Sequence, residues 1–368
     1  MKSAITLGAN INRMRKEAHL TQDDLASFLG VTKASVSKWE TGQSYPDLEL
    51  LPKIATYFDT TIDVLVGYEP QMSKAGIART CAQLRTAFAT EPFEEAHAQC
   101  QALVRDYFSC YPLLVQIATL YLNHADLAGA DAPALFNEAV DICRRVRCNS
   151  NSSADIKQAE GIEASILIMT GNPQDAIDLL SPTVEFDVGP DILLANAYGA
   201  LEQVDEADKV LQSALFQSIA LDTNRLAQLA ILHAANREKL DVIHERALAL
   251  ISAFDFEAVY VNCAAVHLSF AMAYLMGGNA EAAFDCLEDY EQACRKLEFP
   301  LRLHGDAFFD KLEAWIEEVN VVGTSAPRDE ELNKKSLVES VSVNPVFAPL
   351  ADDPRFKCIV ANLEEIVR

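Results

Sequence analysis

Residues 20–42 decide the fold of the amino-terminal part of the chain, and they read L-T-Q-D-D-L-A-S-F-L-G-V-T-K-A-S-V-S-K-W-E-T-G. Thr21, followed by Asp24 three residues later, is a capping-box start of a helix. Gly30 suits the left-handed conformation that ends such a helix, and Thr32 is an N-cap residue for the next one. The stretch therefore predicts two short helices joined by a tight glycine turn.

The second of these helices, predicted over residues 33–41, has one apolar and one polar face. At about 100° per residue, Val36 and Trp39 point inward and anchor it to the first helix, where the small Ala26 allows a close crossing. The outward face carries Lys33, Ala34, Ser37, Lys38 and Thr41. This is the geometry of a helix-turn-helix motif, in which the second helix enters the major groove of DNA.

Apolar positions outside this motif predict three more helices around it. The face of a first helix is formed by Leu7, Ile11, Met14 and Ala18. We expect a fourth helix that is capped by Asp47. Its inward-facing residues would be Leu48, Leu51, Ile54, Ala55 and Phe58. Residues 62–66 form a short fifth helix before Gly67. We therefore expect a five-helix helix-turn-helix domain over residues 1–69 and a second domain over residues 70–368.

Four motifs in the first 66 or so residues, L-T-Q-x-x-L-A, L-G-V-T, S-x-W-E-x-G and I-D-x-L-x-G, resemble the lambda-repressor/Cro type of domain, the XRE family. The resemblance implies that Gln22 lies at the phosphate backbone and the first bases. It places Lys33, Ala34 and Lys38 at positions that contact bases or phosphates. It places Thr21 and Thr41 near phosphates. It also implies a buried ion pair between Arg15 and Glu40, which ties the first helix to the end of the third. One departure is His19, where many relatives have glycine.

Composition and charge favour a helical protein with an acidic body. Half of the 368 residues are apolar, and only 14 Gly and 14 Pro occur. Residues 1–69 hold seven basic and nine acidic side chains, a net charge of −2, whereas the remainder holds 23 and 45, a net charge of −22. The acidic body would be repelled by phosphates, but a DNA-binding head needs only a local basic face.

The chain beyond residue 71 reads as successive amphipathic helices. Residues 171–177, G-N-P-Q-D-A-I, resemble residues 278–283, G-N-A-E-A-A, and each stretch stands between two apolar helical segments. The alanines Ala139, Ala176, Ala207 and Ala282 are 37, 31 and 75 residues apart, near multiples of the ~34-residue tetratricopeptide period. The sequence predicts an all-α protein whose second domain is an α-solenoid of tetratricopeptide-like helix pairs; a non-repetitive helical array is the alternative. We expect a loop over residues 321–337 and a capping helix over about 356–367.

Motifs of catalysis and of metal binding are missing from the sequence. It contains no G-x-x-x-x-G-K-[ST], G-x-G-x-x-G, H-E-x-x-H or G-x-S-x-G, and its nine cysteines include no C-x-x-C pair. We therefore expect no enzyme activity, no cofactor and no metal site. The first residues lack the apolar segment of a signal peptide, and we expect a cytoplasmic bacterial protein that does not associate with a membrane.

Two asparagines, Asn196 and Asn262, are predicted inside apolar helices of the repeat region. An inward asparagine in a repeat groove can hold the backbone of an extended peptide; alternatively, each bonds a neighbouring helix or faces solvent. The overall plan resembles the peptide-sensing RRNPP regulators. That resemblance implies a homodimeric transcriptional regulator on operator DNA, with a peptide or protein ligand in the repeat groove.

A different class of function is the alternative. The protein would be an interaction scaffold whose acidic repeat groove binds a basic protein partner, with the head only localising it. The charge of the groove discriminates the two, because Asp and Glu favour a cationic partner whereas Asn and apolar residues favour a peptide backbone.

Overall fold

The structure, a computed structural model, describes residues 6–68, 71–181, 189–260 and 262–368. Over these ranges the regular structure is helical, and the one extended pairing is an isolated antiparallel bridge between Arg302 and Ser325. The all-α prediction is confirmed. Contacts divide the chain into one unit of Met1–Ser73 with Ala98–Leu114 and a second unit of Lys74–His97 with Val115–Arg368. The first unit thus includes residues 98–114, which the predicted boundary at residue 69 separates from the head.

Five α-helices form the head, here meaning residues 6–68. They are α1 (Leu7–Glu17), α2 (Gln22–Leu29), α3 (Lys33–Glu40), α4 (Leu51–Tyr57) and α5 (Ile62–Val66), with a 3-10 turn over Leu48–Leu50. Their common core consists of Leu7, Ile11, Leu25, Ala26, Leu29, Val36, Trp39, Ile54, Ala55 and Leu65. Helix α3 packs on both α1 and α2, which fixes the direction in which its outer face points.

The predicted turns and caps of α2 and α3 are confirmed. Thr21 and Asp24 form a reciprocal capping box at the start of α2, and Gly30 ends that helix with φ = 70°. The Thr32 side chain accepts a hydrogen bond from the Ser35 N–H at the start of α3. His19 adopts φ = 57°, a conformation that glycine takes more readily than histidine.

The fourth helix begins later than the sequence suggests. Leu48, expected in the core, is 81% exposed, and Asp47 makes no side-chain capping bond. Pro52 lies in the first turn of α4. Because proline lacks an N–H and clashes with the preceding turn, an α-helix that already included Leu48 would be broken there. Ala18, the last predicted inward residue of α1, is also exposed, since α1 ends at Glu17.

Fifteen further helices follow in the described residues. They are α6 (Lys74–Thr90), α7 (Phe93–Asp106), α8 (Tyr111–Asn123), α9 (Ala132–Asn149), α10 (Ser153–Met169), α11 (Pro173–Leu180), α12 (Pro190–Ala200), α13 (Val204–Leu232), α14 (Arg237–Ala253), α15 (Phe256–Val259), α16 (Cys263–Met276), α17 (Ala280–Arg295), α18 (Leu312–Val319), α19 (Glu330–Ser342) and α20 (Pro354–Ile366). None of the helices in the described ranges has the length and apolar character needed to cross a bilayer.

Helix pairs occur where the sequence repeats predict them. Helix α10 packs against α11 and α16 against α17, and the glycines between them, Gly171 and Gly278, both have φ = 79°. The weaker third copy corresponds to the pair of α12 and α13. Ala139 and Ala176 are buried, as close helix packing requires. These pairs confirm a helical-repeat arrangement for the body.

The carboxy-terminal segment differs from its prediction in one place. The expected loop over 321–337 is wrong from residue 330 onward, because α19 spans Glu330–Ser342. The Asp329 side chain caps this helix by accepting the Glu331 N–H, and Lys334 pairs with Glu330 one turn away. The predicted capping helix near 356–367 is present as α20, with Phe356 buried.

Candidate nucleic-acid interface and ligand cavity

Helix α3 is held by its inner face and presents its outer face to solvent. Val36 is fully buried and Trp39 is 5% exposed in the core of the head. Lys33, Ala34 and Lys38 are exposed on the opposite side, and Ser37 is half-buried. Four of the seven residues predicted to contact DNA therefore lie on one accessible surface, which we call the α3 face (Lys33, Ala34, Ser37 and Lys38).

The Arg15 guanidinium and the Glu40 carboxylate form a two-pronged ion pair behind this face. Arg15 Nε lies 2.6 Å from Glu40 Oε1 and Nη2 lies 2.9 Å from Oε2, with side chains 11% and 3% exposed. Burial by itself would raise the pKa of Glu40, but hydrogen bonds from Arg15 and Gln22 outweigh it and leave that pKa below its ordinary value. Arg15 also donates to the Leu20 carbonyl oxygen at 2.7 Å, so one cluster joins α1, α2 and α3.

Several predicted DNA-contacting side chains already have partners within the head. Gln22 donates to Glu40 at 2.9 Å, and the Thr41 hydroxyl donates to the Ser37 carbonyl oxygen at 2.9 Å. Lys33 pairs with Asp23 at 2.7 Å, both well exposed. The Thr21 hydroxyl belongs to the capping box.

Lys38 differs from these residues. Among the residues that the structure describes, no side chain or carbonyl takes its ammonium group as an ion-pair or hydrogen-bond partner. Lys38 is therefore the lysine of the α3 face whose ammonium group is available for a phosphate or a base.

Two residues that shape the head escaped the sequence analysis. A Cβ atom on Gly8 would lie 2.1 Å from the Trp39 carbonyl oxygen, so α1 can cross the end of α3 only with glycine there. Asn10 donates to the carbonyl oxygens of Val64 and Leu65 at 3.1 and 3.2 Å and so ties α1 to α5. The role of Gly8 could have been inferred from the sequence, because a glycine in the first turn of an otherwise helical pattern indicates a close helix crossing.

The second unit contains a cavity of about 360 Å³. Its wall comes from α6, α8, α10, the start of α16, the paired segments 301–303 and 324–326, and the approach to α19. The lining residues are Cys81, Arg85, Gln116, Thr119, Leu120, Asn123, Gln158, Asn262, Leu301, Arg302, Leu303, Asn320, Val322, Thr324, Ser325, Ala326, Pro327, Arg328 and Asn333. These residues include three arginines and six side-chain amides but no Asp or Glu.

The two candidate asparagines differ in their position relative to this cavity. Asn262 lines it, whereas Asn196 does not. Asn262 stands at the N-cap of α16 rather than inside a helix, and Asn196 is exposed within α12. The prediction that both lie inside helices is therefore wrong for Asn262, because α16 begins only at Cys263. No group of His, Cys, Asp and Glu in the described ranges is arranged to hold a metal ion.

Comparison with solved structures returned two chains of the competence regulator ComR in its apo form. The protein from Streptococcus vestibularis is 14% identical and that from S. thermophilus 13% identical. The matches cover 86% and 85% of this chain and 98% of each of those chains, with a TM-score of 0.26 for both. A TM-score of this size does not establish a shared arrangement of the helices.

Comparison with curated proteins returned matches confined to the head. The HTH-type transcriptional activator BcrR of Enterococcus faecalis is 38% identical over 65 residues, which is 18% of this chain and 32% of that protein. The HTH-type transcriptional regulator AnsR of Bacillus subtilis is 35% identical over 65 residues, which is 56% of its length. The chain thus spans less than two thirds of these two relatives.

A shorter relative is matched over most of its length. The ImmF control region 10 kDa protein of Bacillus phage phi105 is 36% identical over 70 residues, which is 19% of this chain and 78% of the phage protein. The profile of the family described as Helix-turn-helix matches residues 11–65, which run from α1 to α5. Through this amino-terminal domain, the chain belongs to the helix-turn-helix family of XRE type.

Proposed function

We propose that the protein is a sequence-specific DNA-binding transcriptional regulator whose head places α3 in the major groove. The observation that carries this proposal is the α3 face: a short basic surface, anchored from behind by Val36 and Trp39, with Lys38 free of partners among the described residues. A rigid helix with outward Lys, Ala and Ser is suited to contacts with base edges and phosphates.

The charges around this face are compatible with DNA. Lys33 is paired with Asp23, but both side chains are about 60% exposed, at 59% and 61%. An exposed pair of this kind contributes little to stability, so Lys33 can exchange the carboxylate for a phosphate. The strongly acidic remainder of the chain stays off the duplex by repulsion.

The substitution Lys38→Ala tests the proposal. We expect affinity for a selected duplex to fall on the order of tenfold, because a specific base contact is worth about 1–3 kcal/mol. The matched control is Lys335→Ala, which removes another exposed lysine, on α19 of the body. Fluorescence anisotropy with labelled duplex at several salt concentrations measures both. Equal affinities for the two variants would contradict the placement of α3 on DNA.

We infer that the working form is a homodimer assembled through the body. Of the 26 large apolar side chains that are exposed in the described residues, 13 lie between residues 168 and 232. They include Ile168, Met169, Ile177, Ile192, Leu193, Leu194, Leu201 and Val204. Exposed apolar side chains concentrated in one part of a chain are typical of an interface, and a second copy supplies the same side chains for an isologous contact. Two linked heads would strengthen weak half-site binding.

The cavity bears on the rival proposal of a scaffold for a basic partner. Among the residues that the structure describes, its lining contains no acidic side chain, although the chain carries a net charge of −24. Such a lining favours a peptide backbone or an anionic ligand over a cationic segment. We therefore propose that the body senses a ligand in this cavity and that the head acts on DNA in response.

A further inference from the structure

Three arginines from different parts of the chain line the cavity of the second unit. Arg85 comes from α6, Arg302 from the segment paired with residues 324–326, and Arg328 from the approach to α19. The sequence distance between the first and the last is more than 240 residues, so only the folded body brings them together. Their neighbours along the wall are amides and hydroxyls rather than carboxylates.

Two of the three arginines have no carboxylate partner in the described residues. The Arg85 guanidinium donates to the Ala326 carbonyl oxygen at 2.6 Å and makes no ion pair. Arg302 is exposed and has neither an ion pair nor a side-chain hydrogen bond within the described ranges. Arg328 is paired with Asp126 at 2.8 Å and donates to Ser336, but its Nε is buried without a hydrogen-bond partner.

The electrostatics of nearby groups agree with an excess of positive charge. Burial lowers the pKa of Arg85, and the opposing effects of Cys81 and of the Asp329 carboxylate offset this only in part. Burial also lowers the pKa of His124, against the hydrogen bond to the Leu120 carbonyl oxygen, which raises it. Arg328 and Arg85 lower this pKa further, and Asp126 opposes them. Arg85 is half-buried, and an anionic group of a ligand would supply the counter-charge that its guanidinium lacks among the described residues.

We propose that this cavity binds a small molecule with at least two anionic groups, carboxylates or phosphates, and that Arg85 and Arg302 contact those groups. The number of groups follows from the two arginines that lack a carboxylate partner. The size follows from the volume of about 360 Å³, near the lower end of the ~300–1,000 Å³ range of small-molecule sites. The amides, Gln116 and Asn123 among them, would orient the uncharged part of the ligand.

This inference deepens the sensing role in the proposed function, but the binding itself does not depend on DNA. Isothermal titration calorimetry of the full-length protein tests it with two probes, citrate for carboxylates and inorganic pyrophosphate for phosphates. Triethyl citrate serves as the uncharged counterpart of citrate. We expect at least one of the two anions to bind, which identifies the preferred group, and triethyl citrate not to bind.

Variants locate the binding. We expect Arg302→Gln to lower the affinity for the anion that binds on the order of tenfold, because a charge-assisted hydrogen bond is lost. Arg302→Lys should lower this affinity less. The control Arg225→Gln removes an exposed arginine of α13 that is paired with Asp222 and should change nothing. Lys38→Ala should also change nothing, which excludes an anion site on the head.

Three results would overturn the inference. These are the absence of binding by both anions at millimolar concentration, equal binding of triethyl citrate, and unchanged anion affinity in the Arg302→Gln variant. Because Arg302 is exposed and makes no side-chain bond in the described residues, that variant should fold, and far-ultraviolet circular dichroism verifies it. Failure of DNA binding would be seen separately, in anisotropy without any anion.

Discussion

The carboxylate of Glu40 is 3% exposed and receives hydrogen bonds from both Arg15 and Gln22. Removing Arg15 by the substitution Arg15→Ala would leave that charge buried without its ion partner, which costs about 3–5 kcal/mol. The expected result is a loss of this size in the free energy of unfolding of the head. Urea unfolding followed by Trp39 fluorescence, in a Trp315→Phe background, measures it.

The neighbouring Arg13→Ala is the matched control, because Arg13 pairs with Glu17 while both are more than half exposed. Pairs in that setting contribute little. If the two variants unfolded at the same urea concentration, the Arg15–Glu40 pair would have no structural role.

The same carboxylate predicts a dependence on pH. Its pKa is lowered from the ordinary value of 4.5 in the folded head, so its contribution to stability is present above that ordinary value and is lost as pH falls through the lowered one. Glu40→Gln should therefore flatten the loss of head stability in acid. Parallel acid profiles of wild type and variant, again followed by Trp39 fluorescence, would contradict this.

Residue roles that depend on neighbours in the chain were predictable, and those that depend on the folded surroundings were not. The caps at Thr21 and Thr32 and the turn at Gly30 are set by local backbone chemistry. By contrast, the bond from Gln22 to Glu40 joins side chains 18 residues apart. Such a contact exists only once α2 and α3 have packed.

Helices α1 and α3 meet at Gly8, where their separation leaves no room for a side chain. A Cβ atom there would lie 2.1 Å from a backbone oxygen, so Gly8→Ala must push the helices apart. We expect a loss of about 1–3 kcal/mol of head stability, as overpacking usually costs. Urea unfolding followed by Trp39 fluorescence detects it.

The substitution Gly161→Ala, in α10, is the control for Gly8→Ala, because both replace a glycine inside a helix. Apart from its own turn of helix, no described atom lies within 4 Å of the position that its Cβ would occupy. Alanine there should stabilise the body by about 0.5–1 kcal/mol, because glycine is the poorer helix former. A Gly8→Ala protein at least as stable as wild type would show that α1 and α3 do not cross this closely.

The bounds of the elements show where pattern analysis succeeds and fails. Apolar periodicity predicted α1 to α3, and Gly171 and Gly278 marked the turns of two helix pairs. The start of α19 was missed because its sequence is polar and follows a stretch rich in turn formers. Helix formation there is stabilised by the Asp329 cap and by lysine–glutamate pairs rather than by a strong apolar face.

At the scale of the whole molecule, the proposed homodimer predicts that one charge among the exposed apolar side chains of the body will separate the subunits. Leu193 is 63% exposed in α12, and Leu193→Glu places a carboxylate where a second copy would pack. We expect a monomer by sedimentation velocity at micromolar concentration. Leu48→Glu, at an 81% exposed leucine of the head, should leave the dimer intact. A wild-type protein that is monomeric at these concentrations would refute the dimer.

The ligand cavity lies beyond what the sequence could predict. Its arginines and amides are drawn from positions between residues 81 and 333, and no short motif records their convergence. The head could be predicted because its signature is local, with α2 and α3 adjacent in the chain. Asn262 lines the cavity and Asn196 does not, and this difference likewise depends on how the helix pairs stack.

If the protein reads duplex DNA with α3, it should select particular fragments from genomic DNA. Full-length protein would be mixed at low salt with sheared duplex DNA of the organism that encodes it, and the bound fragments sequenced. We expect the enriched fragments to share an inverted repeat with half-sites about one helical turn apart. Binding should weaken as salt rises, and Lys38→Ala should lose the enrichment. Recovery of no fragment above background, or of the same fragments by the Lys38→Ala variant, would contradict it.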